Sequence, residues 1–377
     1  MDYNEIQYVT RSARMNNAAA MPIPGTSLSF TERDFISARR ELFSIDQSDN
    51  FYNISDGQIP ENDRFTYPVI KHKDQADGVI VLLHGLNERD WDKYMSWAYV
   101  LAENTGKDVI LFPISFHMGR SPKEWINPRS LMEKLESRKQ KFSDVKMASF
   151  ANLALSERLT SHPERFMLSG YQSAMDILKL VSDIKSGNDP LFHSGTDIDF
   201  FSYSIGAFLS QILFLSNPNG IFDASKLFMF CGGSVFNQMD GVSKYIMDSV
   251  AFDRVINYYG EAIDENRSEN KSVRQILKNT QLGESFYSMT SLDRLNRIKK
   301  DVFSKIRDQI QVLGLLKDKV IPSESIKKTL KGCRMSFLNP DYNYTHENPF
   351  PVVKNQNSGI INRTFNIVME QAAGFLA

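Results

Sequence analysis

The chain has 377 residues, 42% of them hydrophobic, so it can bury a large core as two domains or, as we favour, as one domain with an insertion. Its 44 basic and 45 acidic residues give a formal charge of -1, which excludes the overall basic field used to hold nucleic acid or an anionic membrane. The sequence has no signal-peptide pattern, no run of about eighteen apolar residues and only two cysteines, so we expect a cytoplasmic protein with reduced thiols and no membrane span.

Residues 1–60 are predicted to form an N-terminal extension, ahead of a main domain at 61–377. Thr31 followed by Glu32 and Asp34 is typical of an N-cap with an acidic first turn, and it predicts a helix over residues 31–43. We expect the extension to lie over the main domain as an arm or flap.

The main domain alternates between apolar runs and helical periodicity. The predicted strands are 64–71, 78–83, 108–113, 198–203, 226–231, 309–316 and 333–338. The predicted helices are 93–104, 171–185, 205–216, 292–307, 323–330 and 360–376. This alternation predicts a mostly parallel open α/β sheet flanked by helices, with its chemistry at the carboxyl ends of the strands. Residues 237–308 are too long for an ordinary connection, and we interpret them as a mostly helical cap.

Ser204 lies where a buried strand is predicted to run straight into a helix. The surrounding sequence, Ser202-Tyr203-Ser204-Ile205-Gly206, follows the G-x-S-x-G pattern of a nucleophile elbow with serine in place of the first glycine. Gly206 is retained where the first helical turn must pass close to the strand. The motif predicts a serine hydroxyl raised above the sheet.

The arrangement resembles the α/β-hydrolase superfamily over residues 64–376 outside the cap, with its chain order of nucleophile, acid and histidine. Ser204 matches the nucleophile, Asp318 the acid after the penultimate strand, and His346 the histidine after the last strand. The run ending in His84-Gly85 matches the oxyanion loop. The chain is also similar to a bacterial group within the superfamily that has no assigned substrate.

The resemblance implies a Ser-His-Asp triad for acyl transfer. His346 would accept the proton of Ser204, and Asp318 would hold the imidazole in the required tautomer. The backbone N–H groups of Leu86 and Ile205 would face the oxyanion.

Each of these residues also has a structural interpretation when taken alone. A serine in this short motif, a loop histidine and a turn aspartate are all common without catalysis. Asp341 and Glu347 are alternatives to Asp318 should the strand assignment be shifted.

Three further polar residues lie near the predicted strand ends. His84 is expected to order the oxyanion loop rather than carry protons. His117 and Arg120 either bind a substrate carboxylate or phosphate, or form an ion pair that orders their loop.

The function predicted from these residues is a serine hydrolase that cleaves an ester, with a thioester or amide as alternatives, through an acyl-serine intermediate. The partner is a small, partly hydrophobic acyl substrate, and no nucleic acid, cofactor or metal is expected because no ligand spacing or phosphate-binding loop occurs. The rival hypotheses are an acyltransferase on the same triad and a ligand-binding or scaffolding protein without turnover. The sequence carries no signal for an oligomeric state.

Overall fold

Nine strands form one sheet in the computed structural model, which describes residues 3, 5–7, 10, 21–23, 25–38, 54–262, 270–300, 302–352 and 358–377. The strands are β1 (Met21–Pro22), β2 (Leu28–Ile36), β3 (Arg64–His72), β4 (Val79–Leu83), β5 (Asp108–Phe112), β6 (Ile198–Tyr203), β7 (Leu227–Phe230), β8 (Ile310–Leu315) and β9 (Arg334–Leu338). Their order is β1-β2-β3-β5-β4-β6-β7-β8-β9. The pairs from β5 to β9 are parallel, and β1, β2 and β3 join the sheet by antiparallel pairing.

Helices flank the sheet, as the alternating sequence pattern predicts. They are α1 (Pro60–Asp63), α2 (Asp92–Thr105), α3 (Pro128–Lys141), α4 (Leu153–Ser161), α5 (Arg165–Ser186), α6 (Ile205–Ser216), α7 (Ser249–Asn257), α8 (Lys271–Asn279), α9 (Gln281–Met289), α10 (Leu292–Ile298), α11 (Val302–Lys305), α12 (Ser323–Thr329) and α13 (Ser358–Leu376). Short 3-10 helices span Asp56–Gln58, Met118–Arg120, Lys123–Ile126, Pro218–Gly220, Phe236–Gln238 and Arg307–Gln309, and a π-helix spans Tyr258–Ala262. Among the described residues, no helix combines the length and apolar character that crossing a bilayer requires.

The central strands are apolar because both faces of the sheet are covered. All five residues of β4 are buried, and Val81 is paired with Ile110 on one side and Phe200 on the other. Val79, Val81 and Leu83 pack into the cluster beneath α5 and α6, whereas Ile80 and Leu82 pack into the cluster formed with α2 and α13. This continuous apolar run is what a parallel strand buried on both faces requires.

The helix predicted over residues 31–43 is wrong for its described part. Residues 28–36 form β2, which pairs antiparallel with β3 from Leu28–His72 to Ile36–Arg64. Leu28, Phe30 and Phe35 are buried, so cross-strand pairing and burial override the local capping signal. Residues 39–43 lie outside the described part of the chain.

The segment between β7 and β8 is mostly helical and contains α7 to α11. The single helix predicted at 292–307 is two short helices, α10 and α11. Helix α9 packs on α6 through Phe286 and Phe208, whose ring centroids lie 6.1 Å apart. The segment therefore contacts the helix that follows Ser204, while the domain boundaries at 61 and at 237–308 stay predictions.

Candidate active site

Ser204 lies at the corner between β6 and α6, with a backbone conformation of φ 56° and ψ -120°. Residues with a side chain rarely adopt this region, and where they do the surrounding structure enforces it. Here the Ser204 N–H donates to the carbonyl of Phe230 at 3.4 Å, and its own carbonyl accepts from Ala207 N–H at 3.0 Å. The corner therefore fixes the hydroxyl at the carboxyl ends of the parallel strands.

The residues on either side of Ser204 explain why the first glycine of the motif can be replaced here, whereas the second cannot. A Cβ added to Gly206 would come within 2.8 Å of the backbone at Leu83 and His84, so this position requires glycine. Ser202, which replaces the first glycine of the motif, is fully buried, and its hydroxyl pairs with the hydroxyl of Ser210 at 2.6 Å. The added polar atom is thus satisfied within the strand–helix packing.

Ser204, His346 and Asp318 form one hydrogen-bonded line. His346 Nε2 lies 2.6 Å from Ser204 Oγ, and His346 Nδ1 lies 2.8 Å from Asp318 Oδ2. Because a carboxylate only accepts, Nδ1 carries a proton, and Nε2 of the neutral ring is left to accept from the serine hydroxyl. The structure therefore brings the three predicted side chains into the relation needed to activate a serine.

Asp318 is fixed by the turn that follows β8. Its Oδ1 accepts the backbone N–H groups of Val320 at 2.9 Å and Ile321 at 3.1 Å, which leaves Oδ2 for the imidazole. The alternative acids lie elsewhere, since Asp341 is exposed and the carboxylate of Glu347 accepts from the hydroxyl of Ser243. Asp318 is the carboxylate that orients the ring.

Two residues that the sequence did not single out hold the loops around the triad. The hydroxyl of Tyr203 donates to the carbonyl of His346, and its ring stacks on the imidazole with centroids 5.5 Å apart. Lys93, on α2, donates to the carboxylate of Glu88 and, at 2.7 Å, to the carbonyl of Glu347. Lys93 thereby ties the oxyanion loop to the histidine loop, a contact between distant segments that no local motif reveals.

The two predicted oxyanion donors, Leu86 and Ile205, line the same pocket. Ile205 is the first residue of α6, where N–H groups have no partner within the helix, and Leu86 follows the end of β4. In the described part of the chain, neither N–H donates to a protein acceptor. Both are therefore free to bind a negatively charged oxygen.

His84 orders the oxyanion loop. Its Nε2 accepts from the N–H of Ile114 at 2.9 Å, so Nδ1 carries the proton and donates to the carbonyl of Gly85 at 2.8 Å. Burial, aided by the neighbouring ring of His117, lowers the pKa of His84 well below its usual value. The ring is a neutral link between the ends of β4 and β5, as the structural interpretation expected.

Arg120 does not face a substrate site, which corrects the substrate-binding alternative for this residue. Its side chain is fully buried, and its guanidinium donates to Asp176 at 2.8 Å and to the carbonyls of Pro113 and Asn62, each at 3.0 Å. This is the ion pair of the other alternative, because a group held on three sides and closed to solvent has no surface for a ligand.

His117 is placed differently, between two pockets. Its Nδ1 donates to the carbonyl of Ser115 at 2.8 Å, and its Nε2 is buried with no partner in the described part of the chain. Burial lowers the pKa of His117 to about 4, with smaller contributions from the charges of Arg120 and Arg158. The ring is therefore a neutral imidazole whose Nε2 is an unpaired acceptor.

An apolar pocket opens beside the two oxyanion donors. It holds about 590 Å³ of empty space, part of it open to solvent. Its walls come from α5, α6 and α9 and are mainly apolar: Phe166, Met167, Phe208, Leu209, Ile212, Leu282 and Phe286. Leu86, Ile205 and His117 also line it. The pocket therefore presents an apolar surface next to the two predicted oxyanion donors.

The described residues include no group of three or more His, Cys, Asp or Glu side chains arranged to hold a metal ion. Both cysteines are free and buried.

A family model with the description "Family of unknown function (DUF6051)" matches residues 3–377. A search of curated proteins found no match. Among solved structures, the esterase Est22 is similar with a TM-score of 0.51 and 10% identity, covering 99% of this chain and 85% of that chain. Carboxyl esterase 2 from Tuber melanosporum has a TM-score of 0.46 and 9% identity, covering 98% of both chains. At these identities the likeness concerns the fold, and together with the strand order it shows the α/β-hydrolase fold.

Proposed function

We propose that this chain, which belongs to the DUF6051 family of unknown function, is a serine hydrolase that cleaves an ester through an acyl-Ser204 intermediate. The observation that carries the proposal is the line from Asp318 through His346 to Ser204, with contacts of 2.8 and 2.6 Å. A serine hydroxyl needs an adjacent base to attack a carbonyl at neutral pH.

In the first half of the reaction, Ser204 Oγ attacks the ester carbonyl as His346 Nε2 takes the hydroxyl proton. The carbonyl oxygen becomes an oxyanion beside the N–H groups of Leu86 and Ile205, each worth roughly 3 to 4 kcal/mol of barrier reduction. The bond from the carbonyl carbon to the alcohol oxygen then breaks, and His346 gives its proton to that oxygen. The alcohol departs, and Ser204 remains as an acyl ester.

In the second half, His346 takes a proton from the water that attacks the acyl carbonyl. It then returns this proton to Ser204 Oγ as the tetrahedral intermediate releases the acid. Asp318 stays ionised throughout and stabilises the imidazolium that forms twice. Its two backbone donors at Val320 and Ile321 support this role, since they hold the carboxylate in place.

The apolar pocket supports a hydrophobic acyl group as the part of the substrate beside the oxyanion donors. Thioesters and amides present the same carbonyl and are alternative substrates on the same triad. An alcohol in place of water would make the protein an acyltransferase, and product analysis separates a free acid from a new ester.

The rival hypothesis is a binding protein without turnover, and its support is Ser202, which replaces the first glycine of the nucleophile-elbow motif. Ser202 is weak support for the rival, because its hydroxyl is paired with Ser210 and the corner at Ser204 keeps its strained geometry.

The experiment that tests the proposal is a series of p-nitrophenyl esters of increasing acyl length, assayed on the wild type and on Ser204→Ala. We expect turnover with a chain-length optimum in the wild type and none above background in the variant. Binding of the esters without turnover by folded wild-type protein would favour the rival.

A further inference from the structure

A second pocket lies across the oxyanion loop from the apolar pocket. It holds about 560 Å³ of empty space, part of it open to solvent. Leu86 lines the apolar pocket and the next three residues, 87–89, line the second one. His117 and Ser169 border both pockets. A substrate whose carbonyl lies at Leu86 can therefore extend into each.

The charged residues that line this second pocket have an excess of positive charge. Arg89, Arg158 and Arg165 contribute guanidinium groups to its wall. Glu88, the acidic residue in the lining, is paired with Lys93. Arg89 donates to the carbonyls of Phe150 and Ala151, and within the described residues it has no carboxylate partner. The charges of the lining are thus not balanced by the lining itself.

Arg158 and Arg165 share one carboxylate. Asp56 accepts from Arg158 at 2.7 Å and from Arg165 at 2.8 Å. Burial alone would raise the pKa of Asp56, but the two guanidinium charges outweigh it and hold the pKa below its usual value. Glu164, next to Arg165 in sequence, contacts the ring of His162 at 3.3 Å, and its charge also acts on Arg165. Arg158 and Arg165 are thus two buried guanidinium groups at the pocket wall, and each uses only part of its N–H groups for Asp56.

The guanidinium of Arg158 is held rigidly at the pocket wall. It lies 4.7 Å from the ring centroid of Phe116 and 4.3 Å from that of Trp125, and only one of its nitrogens donates to Asp56. Its remaining N–H groups have no acceptor among the described residues, and they are not sealed from the pocket. A fixed guanidinium edge matches the paired oxygens of a carboxylate or phosphate.

His117 adds a second, independent sign that polar ligand atoms belong here. Its side chain is nine-tenths buried, and its Nε2 lacks a partner although it borders both pockets. A buried acceptor without a partner costs free energy unless a ligand group or a bound water supplies the hydrogen bond. The space beside it therefore suits a hydrogen-bond donor of the substrate, such as a hydroxyl group, next to the anionic group.

We infer that the substrate is an ester whose alcohol part carries an anionic group, a carboxylate or a phosphate, bound by Arg158 and Arg165 while the acyl chain occupies the apolar pocket. This inference rests on the proposed function and adds the class of its substrate. It places the anion site on Arg158 and Arg165 rather than on Arg120, which is fully buried and donates to Asp176 and two backbone carbonyls.

The test compares matched butanoate esters. The phosphate pair is 2-(butanoyloxy)ethyl phosphate and 2-hydroxyethyl butanoate, and the carboxylate pair is 3-(butanoyloxy)propanoate and propyl butanoate. We expect the wild type to have a higher kcat/KM for the anionic member of one pair, and that pair identifies the anion. Arg158→Gln should lower the anionic-to-neutral ratio about tenfold or more, because a charge-assisted hydrogen bond is lost. The ratio cancels any general loss of activity.

Arg129→Gln is the matched control, since Arg129 is exposed on α3 and lines neither pocket. It should leave the ratio unchanged. Equal ratios in the wild type and Arg158→Gln, or no anionic preference in either pair, would overturn the inference while leaving the hydrolase proposal standing.

A binding measurement decides the matter if no ester is turned over or if Arg158→Gln does not fold. Calorimetric titration of Ser204→Ala with 2-hydroxyethyl phosphate, 3-hydroxypropanoate and ethylene glycol should show binding of one anion, weakened by salt. Failure of both anions to bind better than ethylene glycol would overturn the anion site. Loss of turnover with anion binding retained would count against the proposed function alone.

Discussion

Asp318 contacts the His346 imidazole through one of its two carboxylate oxygens. One carboxylate oxygen accepts two backbone N–H groups and the other accepts from His346 at 2.8 Å, so the side chain cannot turn away from the ring. Together with the ring of Tyr203, this contact orients His346 so that its Nε2 faces Ser204 Oγ.

Asp318→Asn should keep the fold and lower kcat about 10³- to 10⁴-fold, because an amide can donate to the ring and so favours the wrong tautomer. The measurement is kcat on the best p-nitrophenyl ester, with thermal unfolding as a check on folding. Glu347→Gln is the control, since this carboxylate, one residue after His346, contacts Ser243 and not the ring. Similar losses in the two variants would show that Asp318 is not the orienting acid.

His117 should make the protein sensitive to acid. Its folded pKa is about 4, against 6.5 in an unfolded chain, so between pH 7 and 5 only the unfolded state takes up a proton on this ring. The linked loss of unfolding free energy is about 2 kcal/mol at pH 5. Urea unfolding at the two pH values should show that His117→Gln loses about 2 kcal/mol less than the wild type. An identical pH dependence would mean that His117 titrates normally when folded.

The sequence predicted that Ser204, Asp318 and His346 would meet, because each residue follows a strand that an apolar run marks clearly, and the three side chains are in contact. It could not separate the two interpretations of Arg120, since the partner of this residue, Asp176, lies 56 positions away on α5. Nor could it find Lys93, which ties loops that are 254 positions apart. Contacts between distant segments are determined by tertiary packing, so the hydrophobic pattern and motifs of either segment do not predict them.

At the scale of elements, the corner between β6 and α6 positions Ser204 next to the oxyanion loop. The helix starts directly below the strand end, and Gly206 N–H donates to the carbonyl of His84 at 3.1 Å. The first turn of α6 lies so close to the end of β4 that a Cβ at Gly206 has no space. This close contact also brings the oxyanion loop against the first turn of α6. Close packing of these two elements therefore sets the distance between the two oxyanion donors.

Gly206→Ala should destabilise the protein by about 1 to 3 kcal/mol, because the new Cβ meets backbone atoms at 2.8 Å that cannot rotate away. Its activity should fall as the oxyanion loop is displaced. Urea unfolding measures the first effect and ester turnover the second.

Gly374→Ala is the control for this substitution, since Gly374 lies in α13 with no heavy atom within 4 Å of an added Cβ. Alanine there should stabilise the helix by up to about 1 kcal/mol. If Gly206→Ala were equally benign, the close approach of α6 to the oxyanion loop would not exist in solution.

The central strands could be predicted from sequence, and β2 could not. Strands such as β4 and β6 are apolar throughout, a pattern that follows from burial on both faces. In β2 the residues Thr31-Glu32-Arg33-Asp34 alternate between half-buried and exposed and resemble a capped helix. What decides the strand is its pairing with β3, about 35 residues further along the chain. The helix predicted there is wrong because its local signal competes with that pairing.

At the scale of the whole molecule, two helical segments join above the sheet. Arg138 on α3 donates to Asp248, the N-cap of α7, at 2.5 and 2.8 Å, and to Glu157 at 3.0 Å. Arg138 and Asp248 have no exposed side-chain surface. The long connection before β6 and the segment between β7 and β8 are thus held together by a buried ion pair.

Arg138→Met should therefore lower the free energy of unfolding by about 3 to 5 kcal/mol, because it leaves Asp248 buried without its counter-ion. Lys139→Met, at the next position, removes an exposed pair with Glu136 and should change stability by less than about 0.5 kcal/mol. Both are measured by urea unfolding. Equal effects would mean that the two segments are not joined through Arg138.

The central claim, that Ser204 is a nucleophile activated by His346, is tested most directly by covalent labelling with a fluorophosphonate followed by peptide mapping. The wild type should gain one adduct, on Ser204, since the reagent reacts with activated serine hydroxyls. Ser204→Ala should gain none, and His346→Ala should react far more slowly. Folded wild-type protein that stays unlabelled, or that carries the adduct on another serine, would contradict the account.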